Sequence, residues 1–127
     1  MRFYDVAVAS LAIEAPTKWT DNVLSQFKVP EVISSHRGVA RRIPYSAVVR
    51  LAIIRALSRD VGLTVAGAVQ LADRLLQPDH QTGVSLGSLR IACDLAALER
   101  ELGARLADAL ESAPRPRRGR PQKGVRA

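Results

Sequence analysis

Cysteine occurs once, at Cys93, in a chain of 127 residues, which excludes an intrachain disulfide framework and a thiolate zinc site. A reducing, cytoplasmic setting is expected. Aromatic residues make up only 4%, so the core has to be assembled from Leu, Ile, Val and Ala, a composition that leans helical. No apolar run approaches the ~20 residues of a membrane-spanning helix, and no membrane partner is expected. The nearest approach to an export signal is Val6–Ile13, but this run is short and lies between Asp5 and Glu14, so export is not expected. The two histidines, His36 and His80, lack Cys, Asp and Glu neighbours at a metal-ligand spacing and read as exposed loop residues. A Gly-Lys-Ser/Thr phosphate loop is missing as well. Cys93 sits in an apolar alternation with no Lys or His beside it, the setting of a buried structural thiol. The sequence therefore offers no catalytic, cofactor-binding or metal-binding residue, and an enzyme is not expected.

Two stretches lack acidic residues altogether. Residues 32–59 hold Arg37, Arg41, Arg42, Arg50, Arg55 and Arg59 without a carboxylate, and residues 113–127 hold six Lys or Arg without one. Residues 60–112 have the opposite balance, four basic against eight acidic, and the whole chain carries +7. Both basic stretches suit a polyanion, whereas the acidic middle needs a role away from it. On the Ser46–Leu57 helix, Arg50 and Arg55 fit phosphate contact and a solvated outer face equally well, as does Arg59 just beyond it.

With 47% hydrophobic and 24% charged residues, the bulk of the chain has the composition of one small globular domain. Residues 4–13 suit a short helix, Glu14-Ala15-Pro16-Thr17 interrupts it, and Lys18–Phe27 spaces Trp19, Val23, Leu24 and Phe27 as a second helix. Two short helices around a tight turn outline a helix-turn-helix. The second would expose Lys18, Thr20, Asp21, Asn22, Ser25 and Gln26, a polar set able to read base edges. Residues 28–43 then suit a β-hairpin with a polar tip, its second arm carrying Arg37, Arg41 and Arg42. Pro44 opens an apolar helix over Ser46–Leu57, Gly62 ends it, and Thr64 opens another through Leu76. Within Val84–Cys93 the pattern suits one short strand or a hairpin around Gly87-Ser88. Asp94 reads as the N-cap of a last helix with Leu95, Leu98, Leu102, Leu106 and Leu110 in one stripe. That stripe either packs on its own chain or pairs two copies into a homodimer. The Pro-, Arg- and Gly-rich residues from Ala113 onward cannot order themselves by packing.

In that tail, Arg118-Gly119-Arg120-Pro121 resembles the core of an AT-hook. An extended Arg-Gly-Arg segment fits the narrow A·T minor groove: Gly119 lets the backbone approach the floor while Arg118 and Arg120 run along its negative potential. Pro121 keeps the backbone extended, and Arg115, Arg117 and Lys123 can neutralise phosphates. Residues 4–76 resemble the winged-helix head of the MerR family, with the Trp19 helix as recognition element, Arg37-Gly38 through Arg41-Arg42 as wing and Tyr45 opening the third helix. The resemblance implies DNA contacts at Lys18, Thr20, Asn22, Arg37, Arg41 and Arg42. The chain lacks that family's long coiled coil, separate effector domain and Arg-Tyr-Tyr recognition sequence, so operator geometry and ligand sensing do not carry over.

The expected fold is mainly α: a winged helix-turn-helix head over 1–76, a short β segment and amphipathic helix over 77–112, and a disordered AT-hook-like tail over 113–127. The expected partner is double-stranded DNA, with A·T-rich minor groove for the tail, in a nucleoid-associated protein or small transcriptional regulator. A rival reading makes the chain a protein-interaction module, such as an antitoxin-like partner that covers a second protein with its last helix. RNA binding is disfavoured by the shortage of aromatic pairs for base stacking.

Overall fold

Asp5 starts the first helix by accepting a hydrogen bond from the Val8 N–H at 2.8 Å, the N-cap exchange that satisfies an otherwise orphaned donor. In a computed structural model, which describes residues 2–33, 40–78 and 83–113, this helix is α1 (Val6–Ala12). It ends in a Schellman turn, with Glu14 N–H bonded to Leu11 O at 3.2 Å and Ala15 N–H to Ser10 O at 2.9 Å. Glu14 holds the left-handed position at φ 58°, where glycine is usual. Pro16 then precedes α2 (Thr17–Gln26), completing helix, turn and helix.

The protein is mainly α, with five α-helices among the described residues. Pro44 leads into α3 (Tyr45–Ala56), whose Ala47, Val48, Val49, Leu51, Ala52, Ile53 and Ile54 are all buried, and this central helix forms the heart of the core. A π-helical turn, Leu57–Val61, closes on Gly62 at φ 90°. Thr64 caps α4 (Val65–Leu75) by accepting from the Gly67 N–H at 3.1 Å. Beyond it, β3 (Val84–Leu86) and β4 (Leu89–Ile91) pair antiparallel about Gly87 and Ser88, so the hairpin alternative holds there. Asp94 caps α5 (Leu95–Ser112), accepting from the Ala97 N–H at 3.0 Å.

One element is not anticipated by the sequence pattern. Phe3–Tyr4 form a strand, β1, instead of leading directly into helix, and pair antiparallel with β2 (Ile43–Pro44). Immediately before β2, Ile33 and Arg42 exchange both backbone hydrogen bonds, at 3.0 and 3.1 Å. This pair forms the base of the expected hairpin; its tip, with His36 and Arg37, lies outside the described residues.

The leucine stripe of α5 requires a correction as a dimer seam. α5 packs along α1 and also meets α3, and Leu102 (1% exposed) and Leu106 (4%) lie in the same core as Val8, Ala9 and Ala12. Leu98 is partly buried against that core, whereas Leu95 and Leu110 are 39% and 41% exposed. A homodimer through all five leucines would have to expose residues already packed within one chain. Among the described residues no helix is long and apolar enough to cross a membrane. Leu102→Ala should cost about 2–5 kcal/mol of unfolding free energy by cavity formation, while Leu110→Ala should cost under about 1 kcal/mol. Urea titration of the two variants at several protein concentrations checks both the values and their independence of dimerisation.

Candidate nucleic-acid interface

Amphipathic spacing sets the two faces of α2. Val23 and Thr20 are buried and Trp19 and Leu24 half-buried, which turns Lys18, Asn22, Ser25 and Gln26 to solvent. Lys18 and Asn22 therefore stand where a base-reading helix needs them. Thr20 does not: it is 0% exposed, and Ser10 of α1 donates to its hydroxyl at 2.7 Å. Its expected role in DNA contact is overturned, because period 3.6 places it beside Val23 on the inner face. The hydroxyl pair instead registers α1 against α2 inside the core, where each polar group needs a partner.

Arg41 also changes role. Its Nη1 donates to Asp21 Oδ1 at 2.6 Å and its Nη2 to Ser25 Oγ at 2.9 Å. Asp21 and Ser25 are one turn apart on α2, so the planar fork of a guanidinium spans them as a lysine could not. Arg41 is thus committed to bolting the base of the hairpin onto α2 and is not a free phosphate ligand. The same bond neutralises Asp21, the one carboxylate on the outer face of α2, which would otherwise repel a phosphate backbone.

The neighbouring Arg42 is exposed, with its guanidinium carbon 4.7 Å from the centre of the Phe3 ring on β1. Stacking uses the face of the cation and leaves its N–H edges for an acceptor. Lys18, Asn22 and Arg42 therefore remain as solvent-facing candidates from the expected set. Arg37 and the segment Arg118-Gly119-Arg120-Pro121 lie outside the described residues.

Helical arginines beyond the hairpin are drawn into the fold. Arg50 pairs with Asp73 of α4, Arg59 approaches Glu14 at 3.6 Å, and Arg55 lies over the ring of Trp19 at 5.1 Å. Nothing in their spacing signals this, since the partners come from distant positions. At the opposite side of α3, Tyr45 donates to Glu99 of α5 at 3.2 Å; burial, and then the adjoining Glu99 carboxylate, push the phenol pKa up. Burial, followed by Asp94, also raises the Cys93 thiol, as expected of a structural cysteine. His80 lies outside the described residues, among which no cluster of three His, Cys, Asp or Glu could hold a metal.

Comparison with known proteins yields no match to a family model, to a curated protein or to a solved structure.

The Arg41 clamp predicts a measurable coupling. In a double-mutant cycle, Arg41→Ala and Asp21→Ala should interact by roughly 0.5–1 kcal/mol of stability, a value held down by the half-exposed Asp21. Arg41→Lys should recover less than half of it, because an ammonium is a point donor. Chemical denaturation of the four species measures the cycle, and full recovery by lysine would mean that charge alone matters.

Proposed function

We propose that the protein binds double-stranded DNA, with α2 directed to the major groove and the base of the hairpin beside it on the phosphates. The observation that carries this reading is the Arg41 fork: it fixes a basic hairpin base to the polar face of α2 while cancelling that face's carboxylate. Lys18 and Arg42 supply the positive charge, and Asn22 supplies a donor and an acceptor suited to a base edge. The Arg118–Pro121 segment is a second contact, to A·T-rich minor groove. Two modest contacts on one chain reinforce each other through effective concentration. A small transcriptional regulator and a nucleoid-associated protein both use this chemistry. Genome-wide mapping separates them: a regulator gives discrete sites, a packaging protein broad A·T-rich coverage.

The rival interaction-module reading is weakened by the burial of Leu102 and Leu106, which removes the middle of the proposed contact stripe.

Fluorescence anisotropy on A·T-rich and G·C-rich duplexes tests the two contacts separately. Arg118→Ala/Arg120→Ala should abolish the A·T preference while leaving general affinity within about tenfold. Lys18→Ala/Arg42→Ala should weaken binding to both duplexes and lower the salt slope by about 0.9 for each phosphate that is no longer neutralised. An A·T preference that survives the tail substitutions removes the tail from the mechanism, and failure of the intact protein to retard any duplex at low salt removes DNA.

A further inference from the structure

Arg41, Arg50, Arg59 and Arg105 each meet a carboxylate, but Arg55 meets none among the described residues. Its guanidinium carbon lies 5.1 Å from the Trp19 ring centre, and its Nε is buried without a hydrogen-bond partner. An aromatic face attracts the charge but gives the N–H edge no acceptor. An orphaned donor on a buried cation marks a place where something is expected to bind.

Arg55 borders a cleft of about 210 Å³, walled by the turn after α1, α3, the π-helical turn and α5. That volume corresponds to about seven water molecules at liquid density, close to the size of a small amino acid. Around the cleft stand Glu14, Arg59, Asp60, Glu101 and Arg105. Their ion pairs span 3.6 to 3.9 Å, longer than direct hydrogen bonds, so both signs retain bonding capacity toward a guest. Three carboxylates in the wall repel a nucleic-acid backbone. A compact molecule with one anionic and one cationic end faces no such repulsion.

We propose that this cleft binds a small zwitterion of the α-amino-acid class, its carboxylate on the unpartnered edge of Arg55 and its ammonium toward the wall carboxylates. Side-on pairing through Nε and one terminal nitrogen is the two-pronged geometry in which arginine recognises carboxylates. The site is independent of DNA binding, and its test contains no DNA.

Trp19 is the only tryptophan in the chain and stacks on Arg55, so its fluorescence reports occupancy. L-alanine, sodium acetate and inorganic phosphate are titrated into the full chain at constant ionic strength. The ¹⁵N–¹H signal of Arg55 Nε is followed in parallel, and circular dichroism confirms folding of each variant. Alanine should give a saturable change in both signals, acetate should need at least about tenfold higher concentration, and Arg55→Gln should weaken alanine binding at least about tenfold. Arg55→Lys, which retains charge without the fork, should recover little of that affinity. The site is overturned by the lack of any saturable alanine response, or by a response that persists in folded Arg55→Gln. Acetate binding as tightly as alanine overturns the zwitterion assignment, and phosphate binding more tightly than either overturns the amino-acid class.

Discussion

A helix of seven residues does not persist in water by its own hydrogen bonds, and the placement of α2 depends on one. α1 is held because its surface is packed on more than one side: Val8, Ala9, Ser10 and Ala12 are all buried, between α2 and the long α5. Ala9 and Ala12 are small enough to admit Leu102, Leu106 and Ala109 closely, which is the van der Waals contact that makes burial effective. The Ser10–Thr20 hydroxyl pair then fixes register on the α2 side, since a slip would leave two buried hydroxyls without partners. The last helix is consequently a structural support for the first two. Its leucines do their work inside the chain, and the presentation of α2 to solvent depends on them.

Charge is distributed by a related logic. The basic residues over 32–59 suggest one uniform cationic surface, whereas the fold separates them by partner. Arg50 and Arg59 are neutralised by Asp73 and by Glu14, which joins α3 to α4 and the π-helical turn to the turn after α1. Arg41 is neutralised by Asp21, joining hairpin to helix. Arg42 alone of these carries its charge outward on an aromatic support. The nominal charge of the segment therefore overstates the field available to a polyanion. The field that remains is concentrated at the base of the hairpin, beside Lys18 and Asn22.

Local signals are legible in the sequence because their causes are local. Asp94 and Thr64 are caps in the structure as their chemistry requires, Gly62 takes the positive φ that ends a helix, and the leucine period of α5 is a true helical stripe. The differences are all of facing or partnership. The hydroxyl of Thr20 suggests an outer face, but position on the helix outweighs polarity once Ser10 offers a bond. The Phe3–Tyr4 strand has a weak signal in its two aromatic residues, and the pairing with Ile43–Pro44 that stabilises it is forty residues away. The Arg41 fork and the Arg55–Trp19 stack likewise join residues twenty and thirty-six positions apart, so no short window of sequence contains both halves.

The two halves of the proposed DNA contact are compatible in scale. Asp108 and Ser112, near the end of α5, line one shallow groove with Leu11 and Glu14, so the last helix finishes beside the turn that leads into α2. From Ala113 to Arg118 a fully extended chain reaches about 17 Å. That is about half of the ~34 Å helical turn of B-DNA, the spacing that separates a major groove from the minor groove on the same face. A much shorter spacer would leave the arginines short of the second groove, and a much longer one would dilute them below useful effective concentration. The exit point of α5 thus gives its packing against α1 a second consequence: the contact that supports the reading helix also sets the origin from which the basic segment reaches the neighbouring groove.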